Sequence, residues 1–195
     1  MISKNLDRLR RDIVIESRLR GGNFVFRSTW GLFSPTEIDE GSLMLVDNID
    51  VKATDLTLEI GCGYGPIGLA IAKESRQGKV HMVDKDFVAI EYAKKNAALN
   101  GIRNCEIYLS NAFSHVPDIG FDHIVSNLPA KVGNELLYLI LNDAKSHLKI
   151  GGKFRVVVIA GLKEYIKRNF KEVFGNFEKI KQGKTYMVAS ATKDL

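Results

Sequence analysis

Leu58-Glu59-Ile60-Gly61-Cys62-Gly63-Tyr64-Gly65-Pro66-Ile67-Gly68 carries an apolar strand into a helix through alternate glycines, and its reading decides the fold. A glycine-rich strand-to-helix turn is where open α/β sheets bind nucleotides. Outward from it the pattern repeats. Apolar strands are predicted at residues 56–60, 80–83, 106–109, 123–126 and 154–159, and helices at 65–75, 87–99, 134–148 and 163–174. Strands alternating with helices of this length form parallel βαβ units, so the fold class is α/β: a doubly wound, mostly parallel, Rossmann-like sheet covered on both faces. The end departs from this, since residues 177–181 and 186–192 flank Gln182-Gly183-Lys184 as an antiparallel hairpin. Upstream, residues 6–19 place Leu6, Leu9, Ile13 and Val14 at helical spacing among arginines, and Gly21-Gly22 ends that helix. A short strand at 23–29 and a helix at 36–48, started by Ser34-Pro35, complete the first fifty residues. No internal repeat or low-complexity tract interrupts the order, so residues 1–195 read as one domain with 1–50 as an N-terminal extension packed on it.

Composition narrows the function. With 45% hydrophobic and 26% charged residues the chain is neither disordered nor fibrous. Its longest apolar runs, such as residues 156–161, fall far short of the ~20 residues of a membrane span. Residues 1–22 lack the apolar core of a signal peptide, so a cytoplasmic location away from membranes is expected. Cys62 and Cys105 are isolated, and His81, His115, His123 and His147 are scattered, which leaves no disulfide framework and no metal site to expect. The net charge is +5, and residues 1–30 hold seven basic groups against three acids. Such a field suits a polyanion such as nucleic acid, and equally suits a solvated helix whose arginines pair with Asp7, Asp12 and Glu16.

Gly61, Gly63 and Gly65 let the backbone turn tightly and approach a ligand with no Cβ between, while free N–H groups at the helix start favour a carboxylate or phosphate. Residues 63–68 also satisfy GxGxxG, so a dinucleotide and S-adenosylmethionine (SAM) both remain in play. Glu59, two residues before the first glycine, argues for SAM: it can accept from loop amides or from the ammonium of the methionine moiety, and would repel a pyrophosphate. Asp84 ends the second strand at the separation expected of an acid that accepts from both ribose hydroxyls. Asp86 reads as a helix cap. Asn111-Ala112, after the third strand, can meet an adenine edge through the asparagine amide.

Asn127-Leu128-Pro129 ends the fourth strand on the same sheet edge. An exocyclic amine on a nucleobase is a poor nucleophile because its lone pair is delocalised into the ring. The Asn127 side-chain carbonyl and the Leu128 backbone carbonyl can each accept one amine N–H, aiming the lone pair at a methyl group, with Pro129 holding the backbone. Positioning of this kind supplies up to ~7–11 kcal/mol, and no nucleophilic side chain is needed. Asn and Pro are also ordinary turn residues; in strand order with the glycine loop and Asp84 they read as catalytic.

Three blocks, Gly31-Leu32-Phe33-Ser34 with Ile38-Asp39-Glu40-Gly41, Glu59 to Gly65, and Asn127-Leu128-Pro129, give the chain a resemblance to the class I SAM-dependent methyltransferases. Within them it resembles the small-domain branch of ribosomal small-subunit RNA guanine-N2 methyltransferase C, over residues 31–193. The resemblance implies a seven-stranded sheet with a reversed last strand, SAM as cofactor, ribosomal or transfer RNA as partner, and an Asn-x-Pro segment that holds the methylated amine. The family's usual Asn-Pro-Pro with a following aromatic is here Asn127-Leu128-Pro129-Ala130-Lys131, and an alanine cannot stack on a flipped base. Phe33 or Trp30 is then the candidate stacking residue, Lys131 a neighbour of the substrate, and Arg8 and Arg11 candidate phosphate contacts. Asn-Leu-Pro is similar as well to the segment of the transfer RNA guanine-N1 methyltransferases, so N1 stands behind N2. A protein-glutamine or small-amine methyltransferase, an NAD(P)-binding oxidoreductase and a non-catalytic cofactor module complete the alternatives, with monomer and homodimer both open.

Overall fold

The computed structural model describes residues 6–7, 9–129 and 132–194. Nine strands and five helices of eight residues or more are found among them. A hairpin of β1 (Ile13–Leu19) and β2 (Gly22–Ser28) comes first, then α1 (Glu40–Asp47). There follow β3 (Leu56–Ile60), α2 (Pro66–Glu74), β4 (Lys79–Asp84), α3 (Phe87–Leu99) and β5 (Cys105–Leu109). The chain then runs through β6 (Phe121–Asn127), α4 (Asn134–His147), β7 (Leu148–Ile159), α5 (Lys163–Phe174), β8 (Glu178–Gln182) and β9 (Tyr186–Thr192). The seven-stranded sheet has the order β5-β4-β3-β6-β7-β9-β8, parallel from β5 to β7, with β9 reversed against both β7 and β8.

The period-2 alternation of the strands builds two apolar layers. Leu58, Ile60, Val83, Ile124, Val156 and Val158 face α4 and α5, whereas Val80, Met82, Val125, Val157 and Val188 face the layer of α1, α2, α3 and the hairpin. The sheet's chain reversal between β3 and β6 leaves a crevice at the carboxyl ends of the strands, the usual ligand position in such sheets.

The expected helix over residues 6–19 is a strand over its second half, Ile13–Leu19. Residues 6, 7 and 9 are helical, closed by Arg10 N–H to Leu6 O at 3.1 Å, and the helix goes no further. Ile13-Val14-Ile15 is a β-branched run, stiff at χ1 and better suited to a pleated surface. Ile15 and Leu19 are buried while Val14, Glu16 and Arg18 are exposed, a period of two. Arg20 (φ 48°) and Gly21 (φ 78°) form the two-residue turn between Leu19 and Gly22, both left-handed as a type I′ hairpin demands. The predicted helix at 36–48 is shorter, because Asp39 caps it by accepting from Ser42 N–H at 3.1 Å.

The hairpin docks on α3 through two asparagines. Asn100 Oδ1 accepts from Val25 N–H at 3.0 Å and its Nδ2 donates to Val25 O at 2.8 Å. Asn96 repeats this at Arg27, 2.7 and 2.9 Å, and donates also to Tyr64 O at 2.8 Å. Two side-chain amides one helical turn apart thus imitate a neighbouring strand along β2.

Candidate active site

A cavity of about 660 Å³ opens at the carboxyl edge of the sheet, bounded by the glycine loop, the ends of β4, β6 and β7, residues 31–34 and Tyr186. That volume suits a nucleoside-sized ligand together with part of a second.

Its β3–β4 half holds the residues predicted to bind a cofactor. Gly61 and Gly63 adopt φ of 74° and 54°, and a Cβ at either would meet nothing within 4 Å, so the loop leaves open space on its ligand side. Gly68 is glycine for the opposite reason: a Cβ there would overlap Glu59 and Met82. Glu59 lies beneath the loop, 1% exposed, its Oε2 accepting from Gly68 N–H at 2.9 Å and so capping the first turn of α2. Burial pushes its carboxyl well above the ordinary range; the Gly68 bond pulls the other way and Asp84 adds to the rise. Asp84 Oδ2 accepts from Gly63 N–H at 2.9 Å and Oδ1 from Asp86 N–H at 3.0 Å, fixing a carboxylate with lone pairs left for two hydroxyls. Asp86 caps α3, accepting from Val88 N–H at 2.8 Å. Asn111 and Ala112 close this end of the cavity, Ala112 in the left-handed region at φ 49° with its carbonyl held by Ser110 Oγ at 2.7 Å. Open backbone, a carboxylate pair and an exposed amide form a donor and acceptor set that fits SAM: carboxylate on the helix N-terminus, ribose on Asp84, adenine beside Asn111.

The β6–β7–β9 half holds the second set. Asn127 Nδ2 donates to Asp39 Oδ2 at 2.9 Å and to Ser42 Oγ at 3.0 Å. Both amide hydrogens are thereby committed, which fixes the flip of the amide and leaves its oxygen as the acceptor Asn127 offers the cavity. Asp39 is held from its other side by Tyr186 O–H at 2.8 Å, and burial with that bond raises the Tyr186 phenol to about 12. Leu128 N–H donates to Val157 O at 3.1 Å, which orients the Leu128 peptide against β7. Asp39 appeared in the sequence as part of a block without a role of its own. Ser42 and Tyr186 carried no signal, because they meet Asn127 and Asp39 across 85 and 147 residues.

Phe33 lines the cavity and is 66% exposed, whereas Trp30 lies in a separate depression with Leu9, Arg11, Asp12 and Ile13. Tyr64 ties the segment bearing Phe33 to the glycine loop, its hydroxyl donating to Glu37 O at 3.1 Å. Arg8, Ala130 and Lys131 lie outside the described residues. His81 meets Tyr108 and Glu106, and His123 meets Asp55 and Arg155, away from the cavity. Among the described residues no cluster of metal-ligating side chains occurs, and no helix is long and apolar enough to cross a membrane.

The family model "Methyltransferase small domain" matches residues 23–190. The uncharacterized protein YbxB of Bacillus subtilis is 34% identical over 180 residues, covering 90% of this chain and 89% of that protein. Ribosomal RNA small subunit methyltransferase C of Haemophilus influenzae (strain 86-028NP) is 34% identical over 164 residues, covering 82% of this chain and 48% of its own length. The T. thermophilus 16S rRNA N2 G1207 methyltransferase, solved with AdoMet and guanosine, superposes with a TM-score of 0.83 at 27% identity over 93% of this chain and 50% of that one. The chain thus spans about half the length of the small subunit methyltransferases that it matches.

Proposed function

The chain belongs to the methyltransferase small-domain family and is a SAM-dependent methyltransferase, and on that premise we propose that it methylates ribosomal RNA at the exocyclic N2 amine of guanine. One observation carries the reading: Asp39 and Ser42 occupy both N–H groups of Asn127, so the free oxygen is an acceptor for an amine. The Leu128 carbonyl is the second acceptor. An exocyclic amine has two N–H groups for these two oxygens, while guanine N1 has one and would leave an acceptor idle. The T. thermophilus neighbour, bound to guanosine and described as acting at N2, supports guanine among the amine-bearing bases.

Bound SAM would supply an electrophilic methyl group on its sulfonium, whose sulfur–methyl bond breaks to leave a neutral thioether. Asn127 and Leu128 orient the amine so that its lone pair points across the cavity, and stabilise the positive charge that develops on nitrogen as its bond to the methyl group forms. The extra proton then leaves to solvent, so no side-chain base is required. Glu59, Gly61, Gly63, Asp84, Asn111 and Ala112 hold the cofactor, whereas Gly65, absent from the cavity wall, serves the left-handed turn into α2 (φ 97°) against Met82 and Leu69; Pro129 stiffens the acceptor turn, and Phe33, exposed at the cavity mouth, stacks on the incoming base.

Labelled methyl transfer from SAM to unmodified small-subunit rRNA, followed by digestion to nucleosides, tests this. Label is expected in N2-methylguanosine, with Asn127→Ala lowering kcat ~10²–10³-fold while SAM still binds. Label in N1-methylguanosine, or none in RNA, overturns the assignment of the acceptor.

A further inference from the structure

We propose that the C-terminal quarter of the chain grips the RNA backbone, at a basic rim of Lys163, Lys167, Lys181 and Lys184 beside the acceptor half of the cavity; this rests on the RNA reading above. Counted along the chain, residues 1–50 hold seven basic and eight acidic groups, residues 51–150 eleven of each, and residues 151–195 ten basic against four acidic. The whole excess of +5 is therefore carried by the last segment, and the acids at 37–50 cancel the basic opening. Of the five described arginines of that opening, three have partners, while Arg11 and Arg18 are exposed without an ion-pair partner among the described residues. Arg20 donates to Val46 O and Ile49 O at 2.6 and 2.5 Å, Arg27 lies 3.4 Å from Asp12 and Arg10 3.9 Å from Asp7.

The topology brings the C-terminal lysines to the cavity. Ile159 at the end of β7 pairs with Tyr186 at the start of β9, and both line the cavity wall. Ala160 N–H donates to Thr185 O at 2.8 Å, so the turn bearing Lys184 is hydrogen-bonded to the residues leading into α5, which starts at Lys163. Gln182 pairs with Met187, placing Lys181 one residue back along the edge strand β8. Lys167, Lys181 and Lys184 are exposed and Lys163 is half-buried, and among the described residues none has an ion-pair partner. The opposite end of the cavity carries Glu59, Asp84 and Asp86, with Lys85 between the two aspartates. A base entering from the β7–β9 side thus reaches Asn127 while its flanking phosphates lie over the lysines. Lysines on an edge strand also deter strand pairing, but that role alone leaves RNA affinity unmoved.

The test compares wild type, a Lys167→Gln/Lys181→Gln/Lys184→Gln triple and an Arg10→Gln/Arg11→Gln double, in methyl transfer to small-subunit rRNA and in RNA binding between about 50 and 200 mM salt. The triple is expected to raise KM for RNA about tenfold and to flatten the log–log salt slope by about 2–3, from three lost phosphate contacts. Its kcat, SAM affinity and melting temperature should match wild type, and the double should shift KM less than twofold. A triple with wild-type KM on RNA that wild type does methylate overturns this inference alone. A double that raises KM as far as the triple does the same. A wild type that neither binds nor methylates RNA overturns the functional reading and this inference together.

Discussion

Asp39 accepts from three donors on two oxygens: Ser42 N–H and Asn127 Nδ2 on Oδ2, Tyr186 O–H on Oδ1. It touches no reacting atom in the reading above and acts by holding Asn127, so it is a positioning residue. Asp39→Asn puts an amide where an acceptor stood, and kcat for methyl transfer should fall ~10–100-fold with KM for SAM unchanged; a fall in SAM affinity alone would remove the positioning role. Glu59 tests the other half of the cavity. Its folded-state carboxyl is held above the ordinary value near 4.5 by burial, so its contribution to stability is fully present below that value and is lost as pH rises toward the folded-state value. Glu59→Gln keeps an acceptor for Gly68 N–H and removes the titration. Its melting temperature relative to wild type should therefore rise as the pH climbs above about 4.5, and a pH-independent difference would refute the account. Asn127, Asp84 and Glu59 were legible in the sequence because each is tied to a strand end whose position the βαβ pattern gives. Tyr186 was not, since nothing local distinguishes it from any aromatic opening a strand.

At the scale of elements, the misread segment is the first hairpin. Leu6, Leu9, Ile13 and Val14 satisfy a helical period, yet Ile13, Ile15, Ser17 and Leu19 satisfy a period of two, and a fourteen-residue window holds both. The tie is broken by tertiary contacts: Phe24 and Phe26 stack at 5.6 Å beneath the hairpin, and Asn96 and Asn100 supply hydrogen bonds that only an extended β2 can accept. Asn96 is fully buried and serves Arg27 N–H, Arg27 O and Tyr64 O. Asn96→Ala should lower the unfolding free energy by ~2–4 kcal/mol, measured by urea denaturation, because buried backbone groups lose their partners. Asn100, whose bonds are exposed, should lose ~1 kcal/mol or less on the same change. The parallel core was legible in the order of its strands, which are apolar runs between well-marked helices, but β7 starts at Leu148, six residues before its apolar run, and carries Gly151 and Gly152 within it.

Across the whole molecule, the sheet order divides the cavity into a cofactor half over β3 and β4 and an acceptor half over β6, β7 and β9. The acceptor half is assembled from residues near 39, 127 and 186, so it exists only when the sheet is complete, and ligand binding and global unfolding are linked. SAM at about 100 times its Kd should add ~2.7 kcal/mol to stability and raise the melting temperature by about 5–10 °C; a scan without that shift would mean that SAM does not bind the folded chain in preference to the unfolded one. The charge distribution was the feature the sequence disclosed least directly. Seven basic groups lie near the start of the chain, while the field that faces the cavity is set by where β8 ends and where β9 and α5 begin. The Tyr186 to Asp39 bond closes a span of 147 residues, and such distant closures come late because the intervening chain must first be ordered. On a translating ribosome the cofactor cradle emerges seconds before Tyr186 is made. Until Tyr186 is made the nascent chain therefore lacks a locked acceptor site, while it is attached to a particle of the kind that, under the proposed function, its finished form would modify.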